Sequence, residues 1–505
     1  MHVQHKVVVF FIASNLLPQI QAFEWEFCPT TVAPENSPLR CVNITVHLDW
    51  DSPEKGNITI GVAKLPARNQ DERIGNIFYQ PGGPGHPGSD ALAGMASGER
   101  QVGTEILDHF DMIGVDPRGT GLSNPVKCDV DMYNTRLTYY PSNPDSFEER
   151  VRANLAFRKS CIDMTGSNLI DYMDLISIAK DYEQVRIVLG GEPMNWLGVS
   201  YGTQLGSQYA ELFPNNIRSM VLDSVVSQSQ SQISMLLAGA AGLNTSFRKF
   251  ARWCEAQNTT VCPALRDSKN RSVIKMFTDI TAQAEKQPLP CKSAGCLRPN
   301  LTADEIRMGT ALFLYTPSRD WPRLGEAIYN TTTQSDAGSL VQYQTYPAAN
   351  SSAYVNSAPF AAIAIACQDW THHDNMAEDI RLKEVLTTSE APLMKGLSNA
   401  YQFQLGCIGW PANIRNPPHP ISIPRTEKLP KILITEAIYD PATPFTWGMQ
   451  LREEIGKDRV VLVTKKGGGH PCYEQPNATG GKTKTAIEQY IFNLTLPEDG
   501  VIFDS

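Results

Sequence analysis

The feature that most restricts how this chain can fold is a rhythm of short apolar runs separated by helical patterns. Residues 76–80, 110–115, 195–199, 219–223, 431–435 and 459–464 are each brief, rich in β-formers and apolar without alternation. Strands buried on both faces of a parallel sheet read this way. Between them, residues 175–189 carry apolar side chains at helical spacing before Gly190 and Gly191. After Ser200, the residues Leu205, Tyr209 and Leu212 share one helical face before Pro214. Strand and helix in alternation predict an α/β architecture, a mostly parallel sheet with crossover helices.

The rhythm breaks between Asp223 and Lys431. That stretch holds cysteines, glycosylation motifs and mainly helical patterns such as residues 303–315, and the proline-rich residues 416–424 close it. The expected plan is a signal peptide over 1–22 and a catalytic core in two parts, 23–226 and 428–505. A large, mainly helical inserted lid over 227–427 separates the two parts.

The chemistry concentrates at Gly198-Val-Ser-Tyr-Gly202, a G-x-S-x-G pattern. The bare pattern is common, but here a buried strand precedes it and an amphipathic helix follows. That strand–turn–helix setting is what a nucleophile elbow requires, and it points to an α/β-hydrolase fold with Ser200 as nucleophile. A serine hydroxyl needs a base, and the base needs an orienting acid. In this fold the order along the chain is Ser, acid, His. Of nine histidines, His470 is the one that follows both Ser200 and a suitable acid, in the glycine-rich run Lys465-Lys-Gly-Gly-Gly-His470. The acid is Asp440, in a loop stiffened by Pro441 and Pro444. Asp223, at the end of an earlier strand, is the rival, and Glu436 a more distant one. His372-His373-Asp374 reads as a solvated polar stretch rather than a metal cluster.

The oxyanion hole should take one N–H from the residue after the nucleophile, Tyr201, and one from the loop Gln80-Pro-Gly-Gly-Pro-Gly85. Pro84 has no N–H, so Gly82 or Gly83 donates, and Gly83 is preferred by position. The loop Asp116-Pro-Arg-Gly-Thr-Gly121 is read as bracing the site. Neither a metal nor an organic cofactor is called for.

These segments, with Tyr209-Ala-Glu-Leu-Phe-Pro214 and Asp440-Pro-Ala-Thr-Pro444, resemble the secreted tripeptidyl-aminopeptidase-like branch of the prolyl-aminopeptidase family of serine peptidases. The likeness covers about residues 40–225 and 425–490. In the lid it is confined to pieces such as Trp253-Cys254, Ile365-Ala-Cys-Gln-Asp369 and Cys407-Ile-Gly-Trp-Pro411. The resemblance implies the triad Ser200, Asp440 and His470, an oxyanion hole at Gly83 and Tyr201, and removal of short peptides or single residues from a free N-terminus. Exopeptidases of this type need an acid to pair with the substrate's α-ammonium, and Asp369 is the candidate, set against a structural role beside a cysteine. The acid loop reads Asp-Pro-Ala-Thr-Pro where Asp-Pro-Val-Thr-Pro is more usual, and Cys472 stands where a small inert residue is expected. Two other readings stay open: an esterase or small-molecule acyl hydrolase on the same triad, and a non-catalytic binding protein on a hydrolase scaffold.

The remaining signals concern compartment and partners. Residues 1–6 are basic, residues 7–17 almost wholly apolar, and Ala22 ends a small-residue cleavage site, so a signal peptide and a secreted protein are expected. The apolar run is too short to span a bilayer. Ten Asn-X-Ser/Thr motifs (Asn43, Asn57, Asn244, Asn258, Asn270, Asn300, Asn330, Asn350, Asn477 and Asn493) predict N-linked glycans. Eleven cysteines fall into near neighbours, suggesting the pairs 28–41, 128–161, 254–262, 291–296 and 367–407, with Cys472 left over. Net charge is -9 with no basic run, which argues against a nucleic-acid partner. The expected partner is a peptide or small acyl substrate, with no membrane association.

Overall fold

A computed structural model describes residues 23–293, 296, 298–340, 357–475 and 477–504. The expected signal peptide and Asn350 lie outside the described residues. Twelve strands form in the described chain. They are β1 (Glu26–Phe27), β2 (Arg40–His47), β3 (Asn57–Leu65), β4 (Gly75–Gln80), β5 (Phe110–Val115), β6 (Met194–Val199), β7 (Ile217–Asp223), β8 (Leu289–Pro290), β9 (Asn300–Leu301), β10 (Ile432–Tyr439), β11 (Val460–Gly468) and β12 (Ile502–Phe503). Ten of them make one sheet in the order β1-β2-β3-β5-β4-β6-β7-β10-β11-β12, and β8 pairs with β9 apart from it. From β5 to β12 every pairing is parallel. At the other end β1, β2, β3 and β5 pair antiparallel.

The six apolar runs are the centre of this sheet. Alternate residues of each strand enter two different cores. Phe78, Trp196, Leu222, Ile434 and Leu462 face one cluster, while Ile77, Leu197, Val221, Leu433 and Val461 face another. Helices Leu175–Val188 and Tyr201–Leu212 cover the first face, and Gly88–Ser97 and Thr104–His109 cover the second. On the Tyr201–Leu212 helix, Leu205 and Tyr209 are buried as expected but Leu212 is exposed, because the helix ends there at the surface. Strands β1, β2 and β12 carry no run of the central kind, whereas β3 buries residues 60–63 in succession. Residues of β2 alternate between buried and open, so their signal is half as long.

Between β7 and β10 the chain is mainly helical. A third hydrophobic cluster, with Phe247, Phe250, Phe277, Trp321 and Leu324, lies wholly within residues 243–394. Helices Ala358–Asp369 and Asn399–Cys407 instead pack Phe360, Ile365 and Leu405 into the main core. The five disulfides are the five near-neighbour pairs, and Cys472 is a buried free thiol. No helix among the described residues is long and apolar enough to cross a membrane.

Two expectations change. Asn244 is buried on the helix Gln232–Glu255, where its Oδ1 accepts from Leu393 N, so it is closed to a glycan. Asp374 is not solvated: it is buried in an ion pair with Lys383, and His372 Nε2 lies 2.8 Å from Cys367 O.

Candidate active site

Strand β6 is buried along its whole length and then turns sharply at Ser200, which is partly exposed. Ser200 has φ 55° and ψ -126°, a left-handed geometry that costs a non-glycine residue of order 1–3 kcal/mol. The two glycines of the motif have separate steric reasons. A Cβ on Gly198 would run into Gly202 O and the Trp196 indole, and a Cβ on Gly202 would lie 2.6 Å from Gln80 O. Ser200 N donates to Asp223 O (2.9 Å) at the end of β7, which pins the turn to the sheet. The helix Tyr201–Leu212 starts at the next residue, so its first N–H groups and its positive end face the serine.

Asp440 follows β10 and is 1% exposed. Its Oδ1 accepts from Ala442 N and Thr443 N, both at 2.8 Å, and its Oδ2 lies 2.8 Å from His470 Nδ1. The proline-flanked loop thus wraps one carboxylate oxygen and leaves the other for the imidazole. His470 follows β11, its N–H held by Tyr315 O (2.9 Å) and its ring edge-on to Tyr315. Thr443 Oγ1 is a second neighbour of Nδ1, at 3.2 Å. With Nδ1–H turned to Asp440, Nε2 is the nitrogen left to act on Ser200. Burial works against a charged His470, but the Asp440 carboxylate, with Asp223 and Glu474 farther off, outweighs it, and the imidazole titrates above its ordinary range. Ser200, Tyr201, Gly83, Thr443 and His470 all line one cavity of about 380 Å³.

The rival acids have other work. Asp223 accepts from Thr435 Oγ1 (2.6 Å), Tyr473 N (2.7 Å) and Cys472 N (3.2 Å), so it anchors the chain just after His470. Burial pushes it up to about 6. Glu436 accepts from Val225 N (2.8 Å), and its second oxygen is buried without a partner. Burial, with Asp440 nearby, pushes it well above the usual carboxylate range.

The oxyanion-loop choice between Gly82 and Gly83 has a physical basis. Gly82 N already donates to Gln80 Oε1 (2.7 Å), and a Cβ there would lie 2.8 Å from both Ser200 Cβ and Val199 O. That close approach needs glycine at 82 and leaves the Gly83 N–H for the cavity. Behind it, Arg118 is fully buried and grips Asp181 with two bonds (2.7 and 2.6 Å). Asp116 accepts from Ser89 and Leu122, and burial pushes it up to about 7.

Asp369 is corrected. It is 0% exposed and does not line the cavity. Its Oδ1 accepts from Leu175 N (2.9 Å) and its Oδ2 from Tyr201 OH (2.6 Å). Burial raises it well above the usual range, which favours a neutral acid that cannot pair with an ammonium. Its place is to hold Tyr201. The acid that does line the cavity is Glu474, whose Oε1 accepts from Arg100 and Tyr79 OH. It lies four residues after His470. That spacing in a loop carries no motif, so the sequence gives no signal for it.

Residues 76–266 match the alpha/beta hydrolase fold family, and residues 392–502 match the TAP-like protein family. Among named relatives, a carboxylesterase B of Mycobacterium tuberculosis is 30% identical, over 94% of this chain and 88% of its own. A serine protease Hip1 of the same species is 29% identical, over 95% and 90%. A tripeptidyl aminopeptidase of Streptomyces coelicolor is 27% identical, over 88% and 80%.

Proposed function

The chain belongs to the α/β-hydrolase family and is a serine hydrolase with a TAP-like C-terminal part, and on that premise we propose that it is a secreted exopeptidase acting on free N-termini. Ser200 Oγ attacks the scissile carbonyl while His470 Nε2 takes its proton. The Gly83 and Tyr201 N–H groups stabilise the oxyanion. His470 then returns the proton to the leaving amine, and water, deprotonated by the same imidazole, releases the acyl group from Ser200. Asp440 holds the tautomer and stabilises the imidazolium. The observation that carries this reading is the buried His470–Asp440 bond at 2.8 Å in the cavity that also exposes Ser200.

Residues 227–427 act as the lid that sets substrate size. The relatives named serine protease and tripeptidyl aminopeptidase support peptide substrates. The relative named carboxylesterase B supports the second reading, acyl-ester hydrolysis on the same residues. Five disulfides and exposed glycosylation motifs at Asn43, Asn57, Asn258, Asn270 and Asn493 support secretion.

The test compares a short peptide amide with a free N-terminus, the same peptide acetylated, and a simple acyl ester, with Ser200→Ala as control. Cleavage of the free peptide alone supports the exopeptidase. Cleavage of the ester alone moves the assignment to an esterase. Ser200→Ala is expected to lower kcat by about 10⁴-fold or more, and full activity in that variant would remove Ser200 from the mechanism.

A further inference from the structure

A second cavity, larger than the catalytic one at about 570 Å³, adjoins it. The two share Gly83, His86, Gln402 and Phe403 as walls, so a substrate held at Ser200 can run from one into the other. Its size suits several residues or a drug-sized group. Its walls include the aromatic rings of Tyr133, Tyr139 and Phe157.

The charges on those walls are unequal. Arg136 pairs with Glu305 (3.0 Å), and Arg298 pairs with the same carboxylate. Asp304 pairs with Arg307 (2.8 Å), which reaches it from outside the cavity. Both acids of the cavity are therefore answered. The third cation, Arg150 on the helix Pro144–Thr165, is not. One Nη donates to Thr138 O (2.7 Å), its Nε is buried with no partner, and no carboxylate pairs with it among the described residues. The adjacent Glu149 is exposed. An arginine stays charged in proteins, and its planar fork is made for a carboxylate or phosphate. Glu149 acts on Arg150 only at a distance, and a half-buried guanidinium with no carboxylate bonded to it carries a desolvation cost that an arriving anion offsets.

We propose that Arg150 is a specificity residue of this enzyme and that the adjoining cavity takes a substrate carboxylate, carried either by an acidic side chain or by a peptide C-terminus. The inference rests on the exopeptidase reading for the part of the substrate at Ser200. It adds that the substrate's far end is anionic, held by a charge-assisted pair to Arg150 and flanked by aromatic rings. Hydrogen bonds to a charged group contribute enough to give about a tenfold preference over a neutral isostere.

The test uses two pairs of free-N-terminus peptides on the purified full chain. One pair differs by Glu against Gln at an internal position, and the other by a C-terminal acid against its carboxamide. The wild type is expected to favour the acid of one pair by about tenfold in kcat/KM, and the pair that responds identifies the source of the carboxylate. In Arg150→Gln the ratio falls to near one, and Arg150→Lys recovers part of it. A wild type blind to both pairs, or a preference that survives Arg150→Gln, overturns the proposal. Calorimetric titration of the same pairs into Ser200→Ala, with Arg150 intact, tests it without relying on the folding of a residue-150 variant. Equal Kd values for acid and neutral members again overturn it. Neutral peptides cleaved with no acid preference would leave the exopeptidase reading standing and remove the anion site. Tight binding of the acid without cleavage of any peptide would do the reverse.

Discussion

At the scale of single residues, the site is a set of side chains whose spare bonding capacity has been removed. Asp440 gives one oxygen to two backbone N–H groups and the other to His470, and Tyr315 O fixes the His470 backbone. What remains free is Nε2. Burial disfavours charge on the ring, and the carboxylates around it, Asp440 foremost with Asp223 and Glu474 behind it, favour charge and prevail. The sign for catalysis follows. Below the raised His470 value the ring is protonated and cannot accept the Ser200 proton, so kcat/KM rises with pH through a limb above the ordinary histidine range. Asp440→Asn removes the largest of the charges that oppose burial and leaves only the weaker pull of Asp223 and Glu474. That variant is expected to lose about 10⁴-fold in kcat and to move its limb to lower pH. A pH–rate profile of both proteins checks this, and a limb that stays in place would show that Asp440 does not set the histidine.

At the scale of elements, the helices between β7 and β10 shape the site. Helix Ala358–Asp369 ends at the acid that holds Tyr201 OH, and helix Asn399–Cys407 supplies Asn399, Gln402 and Phe403 to the cavity wall. The disulfide 367–407 ties the two together across 40 residues of chain. Loop-closure entropy for such a span is worth about 3–4 kcal/mol. Replacing both cysteines by Ala is expected to lower unfolding stability by that order in urea titration and to raise KM more than it lowers kcat. Unchanged KM would mean the cavity wall does not depend on the bridge. Elements also explain what the sequence made visible. The central strands and the elbow could be read because burial on both faces and steric exclusion at Gly198 and Gly202 leave one pattern of residues. The local disulfides could be read from spacing. The edge strands β1 and β2 could not, since β1 is two exposed residues and β2 has no continuous buried run. Nor could the cavity-wall positions of Glu474 and Arg150, which depend on which distant segments meet there. Asp369 stays open between a substrate acid and a structural role for the same reason: an acid beside a cysteine gives no sign of whether it faces a cavity or, as it does, a tyrosine.

At the scale of the whole molecule, proton bookkeeping sets catalysis and stability against each other. Burial raises Asp116 to about 7 and Asp223 to about 6, and lifts Asp369 and Glu436 well above the usual range. In an unfolded chain these groups titrate near 4. Between those values the folded state therefore binds more protons than the unfolded one, and by linkage stability falls as pH rises through that window. His470 acts in the same direction, because its folded value is also raised: its contribution is full below the unfolded value and lost as pH rises through the folded one. His86 and His372 oppose this, since burial lowers both, and their contribution is present above the unfolded value and lost as pH falls through the folded one. The four carboxyls and His470 outnumber them, and Asp223 alone is worth about 3 kcal/mol at 1.36 kcal/mol per pKa unit. Below about pH 4 the balance turns, because Asp111 and Glu211, held low by hydrogen bonds that outweigh burial, lose their stabilisation on protonation. The urea midpoint is therefore expected to be higher at pH 5 than at pH 8, while kcat/KM runs the opposite way over the same interval. Asp223→Asn should flatten the stability slope and also shift the rate limb to lower pH, less than Asp440→Asn does, because Asp223 bonds the Cys472–Tyr473 backbone rather than the imidazole but its charge still helps to raise His470. A midpoint that rises from pH 5 to pH 8 would mean that these carboxyls are ionised in the folded protein and that the ground beneath His470 is charged.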